Sequence, residues 1–256
     1  MPVPSPARIE RVAALRAQVR AIEAGDVRKT GDCLPFGLAA LDDRLEAGGL
    51  AGAALHEFTG NRSGLADDAA AALFIAGIAA RAAASDGTII WAMARRDLFA
   101  PGLAQAGLRP DRLIYAECGG DEEVLAVMEE GLRHGSLAVV VGEVRRAAMA
   151  ATRRLQLAAE QGGTMALMLR RWRRQAEDPL ALPSAAMTRW RIGCAPSSPL
   201  PVPGIGRACW HLMLARQRGG APFECIVESN DVEGRLALPA VPRHRPAAAE
   251  AERRAA

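Results

Sequence analysis

The sequence almost lacks lysine and is poor in aromatic residues. Lys29 is its single lysine, so 31 of the 32 basic residues are arginine. Aromatic residues make up 4% of the chain and apolar residues 50%. A core sufficient for one ordinary domain must therefore be built mainly from Ala, Leu and Val. The five cysteines, Cys33, Cys118, Cys194, Cys209 and Cys225, are odd in number, and no two form Cys-x-x-Cys. That spacing supports neither a zinc module nor a disulfide framework. No apolar run approaches the ~20 residues of a membrane-spanning helix, and the N-terminus has no apolar signal core. A reducing cytoplasm is the expected compartment, and no membrane partner is expected. The net charge of +3 is too small to imply a nucleic-acid partner by itself.

The rest of the chain is organised around a strand, a tight turn and a helix. Residues 49–60 read as a strand entered through a Gly-Gly turn, and 69–81 as an Ala-rich helix. Gly60, Asn61, Arg62, Ser63 and Gly64 form the loop between them. Such an arrangement can cradle phosphates with backbone N–H groups and a helix N-terminus. The side chains for that chemistry are missing. A phosphate loop needs a lysine for the β/γ-phosphates and a Ser/Thr for Mg²⁺, but Leu65, Ala66 and Asp67 follow Gly64. Asp67 and Asp68 suit the helix dipole and would repel a triphosphate.

Downstream, strands are expected at 88–93, 113–116, 137–141 and 164–169, with helices at 121–134 and 144–161 between them. Three further strands at 185–193, 207–216 and 223–229 read as antiparallel. The expected fold is α/β: a mostly parallel sheet flanked by helices, with antiparallel strands at its C-terminal edge. Residues 31–238 form this core. Ahead of it, Ile9, Val12, Leu15, Val19 and Ile22 mark a separate amphipathic helix and linker within 1–30. This helix is read as an assembly element for self-association or partner docking, the alternative being a helix that packs on its own domain. Residues 239–256 have the composition of a disordered tail.

Other chemistries find little support. Ser63 sits on a strand-to-helix turn, but a hydrolase elbow needs glycines where Asn61 and Leu65 stand. His56, His134, His211 and His244 are dispersed, and His56 and Glu57 face opposite sides of a strand. No metal site is expected. Charge is uneven, with ten arginines in 143–191 against four acids. Arg170, Arg171, Arg173 and Arg174 surround Trp172 at the carboxyl end of a strand, the edge where open α/β sheets bind ligands. Arginine with an interleaved aromatic can hold phosphates and stack a base. The same side chains suit an acidic protein surface, which is favoured over weak DNA binding; a solvated loop with Trp172 tucked under it is the third reading.

The text Phe36-Gly-Leu-x-x-Leu-Asp, then Gly48-Gly-Leu, then a strand and a Gly-rich turn resembles the start of a RecA-type ATPase core. The wider set is similar to the ImuA family of RecA-related accessory proteins of bacterial damage-induced mutagenesis. It comprises Leu34-Pro-Phe-Gly-Leu, His56-Glu57, Arg96-Asp-Leu-Phe-Ala-Pro-Gly-Leu, Asp121-Glu-Glu-Val and Arg153-Arg-Leu-Gln-Leu-Ala-Ala-Glu. The resemblance implies a RecA-like, P-loop NTPase-type fold. It also implies work in SOS mutagenesis and translesion synthesis beside ImuB, an inactive Y-family polymerase relative, and an error-prone replicative-type polymerase, with RecA a further partner.

Against the RecA pattern, the Walker-B Asp position is Gly142, followed by Glu143, which is read as opening a helix. The catalytic Glu position falls near Met93 or Ala94. With the Lys, the Ser/Thr, the Asp and the Glu all absent from those positions, the core is expected to be a pseudo-ATPase without catalytic residues or cofactor. A residual DNA-dependent ATPase or recombinase and a SulA-like division inhibitor are the alternatives.

Overall fold

The computed structural model describes residues 33–239 except Ser85, Arg173, Pro199 and Pro201. The expected N-terminal helix from Ile9 to Ile22 and nearly all of the tail lie outside the described residues. A small antiparallel pair, β1 (Cys33–Leu34) and β2 (Leu50–Ala51), brackets the short helix α1 (Ala39–Asp42). Asp42 organises this entry, because its carboxylate accepts hydrogen bonds from the backbone N–H groups of Phe36, Gly37 and Leu38.

The core alternates strands and helices. It runs β3 (Leu55–Gly60), α2 (Leu65–Ala82), β4 (Ile89–Met93), α3 (Ala100–Gln105), β5 (Leu113–Glu117), α4 (Asp121–His134), β6 (Val139–Val144), α5 (Met149–Gly162) and β7 (Met165–Arg170). It ends with β8 (Thr188–Ala195), β9 (Cys209–Gln217) and β10 (Phe223–Glu228). The eight strands stand in the order β10-β9-β8-β3-β7-β6-β4-β5. β3, β6 and β7 are buried along their whole length, as interior strands of a parallel sheet covered on both faces must be. One expected strand changes its role. β8 pairs parallel with β3 and antiparallel with β9, so it closes the parallel sheet and only β9 and β10 form the antiparallel extension.

Side chains alternate between two cores. One face packs on α2 and carries Phe58, Val139, Val141, Leu167 and Leu169. The other carries Leu55, Val140, Ala166 and Met168 under α4 and α5. The scarce aromatics are concentrated on the α2 face. Phe74 of α2 lies 5.8–6.3 Å, between ring centroids, from Phe36, Phe58, Trp190 and Trp210. Such ring pairs contribute about 0.5–1.5 kcal/mol each beyond their buried area.

β6 extends beyond the expected 137–141 because Gly142, Glu143 and Val144 pair with Met168, Leu169 and Arg170 of β7. Glu143 therefore belongs to a buried strand and does not open a helix, which corrects the sequence reading. Gly142 is required by a close approach: a Cβ there would lie 2.1 Å from the sulfur of Met128 on α4.

Candidate functional site at the carboxyl edge of the sheet

The loop from Gly60 to Gly64 joins β3 to α2 at the carboxyl edge of the sheet. An anion-binding nest needs successive N–H groups turned by residues alternating into the left-handed region. None of Gly60, Asn61, Arg62, Ser63 and Gly64 has a positive φ in that region. The turn is instead held by the protein's own carboxylate. Asp67 accepts from the backbone N–H of Arg62 at 3.0 Å and from that of Cys194, on β8, at 2.8 Å. Gly60 is packed tightly here, since a Cβ would come within 3.0 Å of Asp68 Oδ1. Its carbonyl accepts the indole N–H of Trp172 at 2.8 Å. An internal anion and an internal donor thus secure the loop.

Beside it, three carboxylates gather on one guanidinium. Arg171 lies 2.8 Å from Glu143, 3.5 Å from Asp97 and 3.7 Å from Asp68. Glu143 also accepts the indole N–H of Trp91 at 2.8 Å. Burial opposes the Arg171 charge, yet Glu143, Asp97 and Asp68 outweigh it and raise the pKa. Burial likewise pushes Glu143 and Asp68 above the usual carboxylate range, with Arg171 opposing. Asp68 Oδ1 is buried without a hydrogen-bond partner among the described residues. A cleft of about 650 Å³ opens next to this cluster, lined by Arg95, Gly119–Glu123, Glu143, Arg145 and Arg171 among others. The Arg171 cluster itself offers little to a nucleotide: three carboxylates face one guanidinium, which is committed to them.

The arginine cluster expected at 170–174 is not a single surface. Arg170 is fully buried on the opposite face of β7, which corrects its reading as a solvent-facing contact. Its Nη1 lies 3.3 Å from Glu57, which also accepts from Ser184 Oγ at 2.7 Å and Arg189 Nε at 2.8 Å. Burial lowers the Arg170 pKa, and Glu57 opposes that shift. Arg171 is largely buried in its own ion pairs, and Trp172 is half-buried with its N–H engaged, so it offers no free stacking platform. Arg174 alone among the described members is an exposed cation, 3.7 Å from Glu177. Arg173 lies outside the described residues.

The sequence reading missed Glu57, Arg189 and Asp97 as members of these clusters. Glu57 did leave a signal, since a carboxylate in an apolar buried strand requires a buried counter-charge. The histidines are dispersed as expected. His56 is buried between Thr188 Oγ1 at 2.8 Å and the carbonyl of Ala51 at 2.9 Å. Among the described residues, no group of His, Cys, Asp and Glu has the arrangement of a metal site. No helix among them is long and apolar enough to cross a membrane.

The strand order and the turn at β3–α2 define the class as RecA-like. A crystal structure of the RadB recombinase superposes with a TM-score of 0.54 at 14% identity, covering 80% of this chain and 98% of that one. No family model matches the sequence. Two curated relatives, both Protein ImuA from Caulobacter vibrioides (strains NA1000 / CB15N and ATCC 19089 / CIP 103742 / CB 15), are 36% identical over 221 residues. The match covers 82% of this chain and 88% of theirs. The chain belongs to the ImuA family.

Proposed function

We propose that this chain is a non-catalytic RecA-like adaptor of damage-induced mutagenesis. It presents a folded scaffold to protein partners and turns over no nucleotide. The observation that carries this reading is Arg171 held among Asp68, Asp97 and Glu143, with Asp67 bonded into the adjoining loop. Phosphoryl transfer needs cations arranged to neutralise developing negative charge on the phosphates. Here Arg171 already neutralises carboxylates, and two aspartates lie in the first turn of the helix toward which phosphates would point. Family membership supports a role beside an ImuB-like protein and an error-prone polymerase in translesion synthesis. A RecA partnership and self-association through the segment from Ile9 to Ile22 belong to the same reading.

The test is a titration of the full chain with a fluorescent ATP analogue in the presence of Mg²⁺, paired with a hydrolysis assay. No saturable binding at micromolar concentrations and no turnover are expected. Ala66→Lys alone is expected to change neither, because the neighbouring acids remain. Saturable, Mg²⁺-dependent binding by the wild-type chain would overturn the reading in favour of a residual ATPase. Capture of the ImuB-like protein and the polymerase from damaged cells tests the adaptor role separately.

A further inference from the structure

A second cleft, of about 480 Å³, lies between the chain leaving β6 and the loop 171–183 that leaves β7. Arg145, Arg146, Arg170 and Arg171 line it, opposed by Glu177 and Asp178. These charges are not equally available. Arg171 is taken up by Glu143, Asp97 and Asp68, and Asp178 is 2.6 Å from Arg191. Arg146 makes an exposed pair with Glu177 at 3.1 Å, of the weak kind that an incoming anion can displace. The Arg145 side chain has no ion pair or hydrogen bond among the described residues. At the buried side of the cleft stands Arg170, wholly shielded from solvent. Its Nε and Nη2 find no partner among the described residues, and neither does Nη2 of the adjoining Arg189. Glu57 is shared by both of these arginines, so their buried group carries one excess positive charge. Asp121 is a further acid that acts on this group. It favours the charge on Arg170, and its carboxylate is held by the backbone N–H groups of Arg145 and Arg146.

Buried positive charge in excess is costly, and an anion in the cleft offsets it through its field while it hydrogen-bonds to Arg145 and Arg146. Arginine forks match the oxygens of phosphate particularly well. Among the described residues that line this cleft none is aromatic, so they offer no surface on which to stack a base. We propose that this cleft binds one phosphate group, with Arg145 and Arg146 at the rim and Arg170 beneath it. The site is separate from the degenerate Gly60–Gly64 loop and stands whether or not the chain is an adaptor. The group can come from free phosphate or from the phosphodiester of single-stranded DNA, and these sources are separable.

The test uses the full chain and inorganic phosphate titrated at constant ionic strength against chloride, followed by the thermal midpoint. A saturable rise is expected in wild type. The double variant Arg145→Ala/Arg146→Ala should need at least tenfold more phosphate, while Arg153→Ala/Arg154→Ala on the exposed face of α5 should match wild type. A labelled oligo(dT) then identifies the source. Binding that phosphate competes away marks the diester, and the salt slope should be shallower in the 145/146 variant by about 0.7 for each phosphate it no longer neutralises. Phosphate saturation without oligonucleotide binding marks the free anion. A midpoint that follows ionic strength alone, or a 145/146 variant indistinguishable from wild type, overturns the proposal. Should that variant fail to fold, phenylglyoxal labelling of the wild-type chain decides. Phosphate must protect Arg145 and Arg146 and leave Arg153 and Arg154 reactive, and equal labelling of both pairs refutes the site.

Discussion

Arg170 and Arg171 are consecutive residues with opposite environments. Arg170 ends β7 pointing toward the α4–α5 face, where two arginines share one carboxylate, Glu57. Arg171 serves the α2 face, where one guanidinium faces three carboxylates. The sheet's two-residue period separates them, so one sequence cluster becomes two clusters of opposite imbalance. The acid-rich side adjoins the loop that resembles a nucleotide site. The arginine-rich side adjoins the second cleft. A run of like charges at the end of a strand therefore does not define one surface, because burial assigns its members separately.

The largest effect should come from Glu57→Ala, which leaves Arg170 and Arg189 buried without a counter-ion. A loss of about 3–5 kcal/mol is expected, measured by urea unfolding. Arg170→Ala should also be costly, because it empties the volume of a fully buried side chain, although Arg189 still pairs with Glu57. This rules out reading a multiple alanine variant of the cluster as a surface probe.

On the opposite side of the same strand from Glu57, His56 should give the next largest effect. Burial lowers its pKa from 6.5 to about 4, and the backbone bond to Ala51 offsets this only in part. The folded pKa is the lower one, so between these values the unfolded chain takes up a proton that the folded chain refuses. Stability is therefore unaffected by this group at pH 7 and falls as pH drops from about 6.5 to 4. The loss should total about 3 kcal/mol, and His56→Gln should flatten that part of the profile.

Arg171→Ala should cost less, about 2 kcal/mol at pH 7, since its charged hydrogen bonds are partly open to solvent. Here pH distinguishes the two clusters. Glu143 and Asp68 have raised folded pKa values, so the cost of their charge is present above those values and is relieved as pH falls through them. The stability gap between Arg171→Ala and wild type should accordingly narrow in mild acid. The Glu57→Ala gap should not narrow, because what remains buried there is two cations. A parallel response of both variants would show that the clusters are not electrostatically opposed. Arg174→Ala should have the smallest effect, within about 0.5 kcal/mol, as for most exposed substitutions.

The sequence alone determined the parallel sheet, the position of the turn at Gly60–Gly64 and the bounds of the helix Asp121–His134. Those follow from local rules: continuous apolar runs for buried strands, an acidic first turn and helical spacing for α4, and glycines at the turn. The missing lysine could also be read without coordinates. Only the tertiary structure decided that β8 pairs with β3, that Glu143 lies within a strand, and that Asp67 bonds across to Cys194. It also decided the partition of Arg170 from Arg171, because a counter-ion such as Glu57 stands 113 residues away along the chain. Local pattern sets which face a residue takes, but not which distant charge meets it there. Burial makes that meeting decisive, since a charge removed from water must find its partner inside the fold.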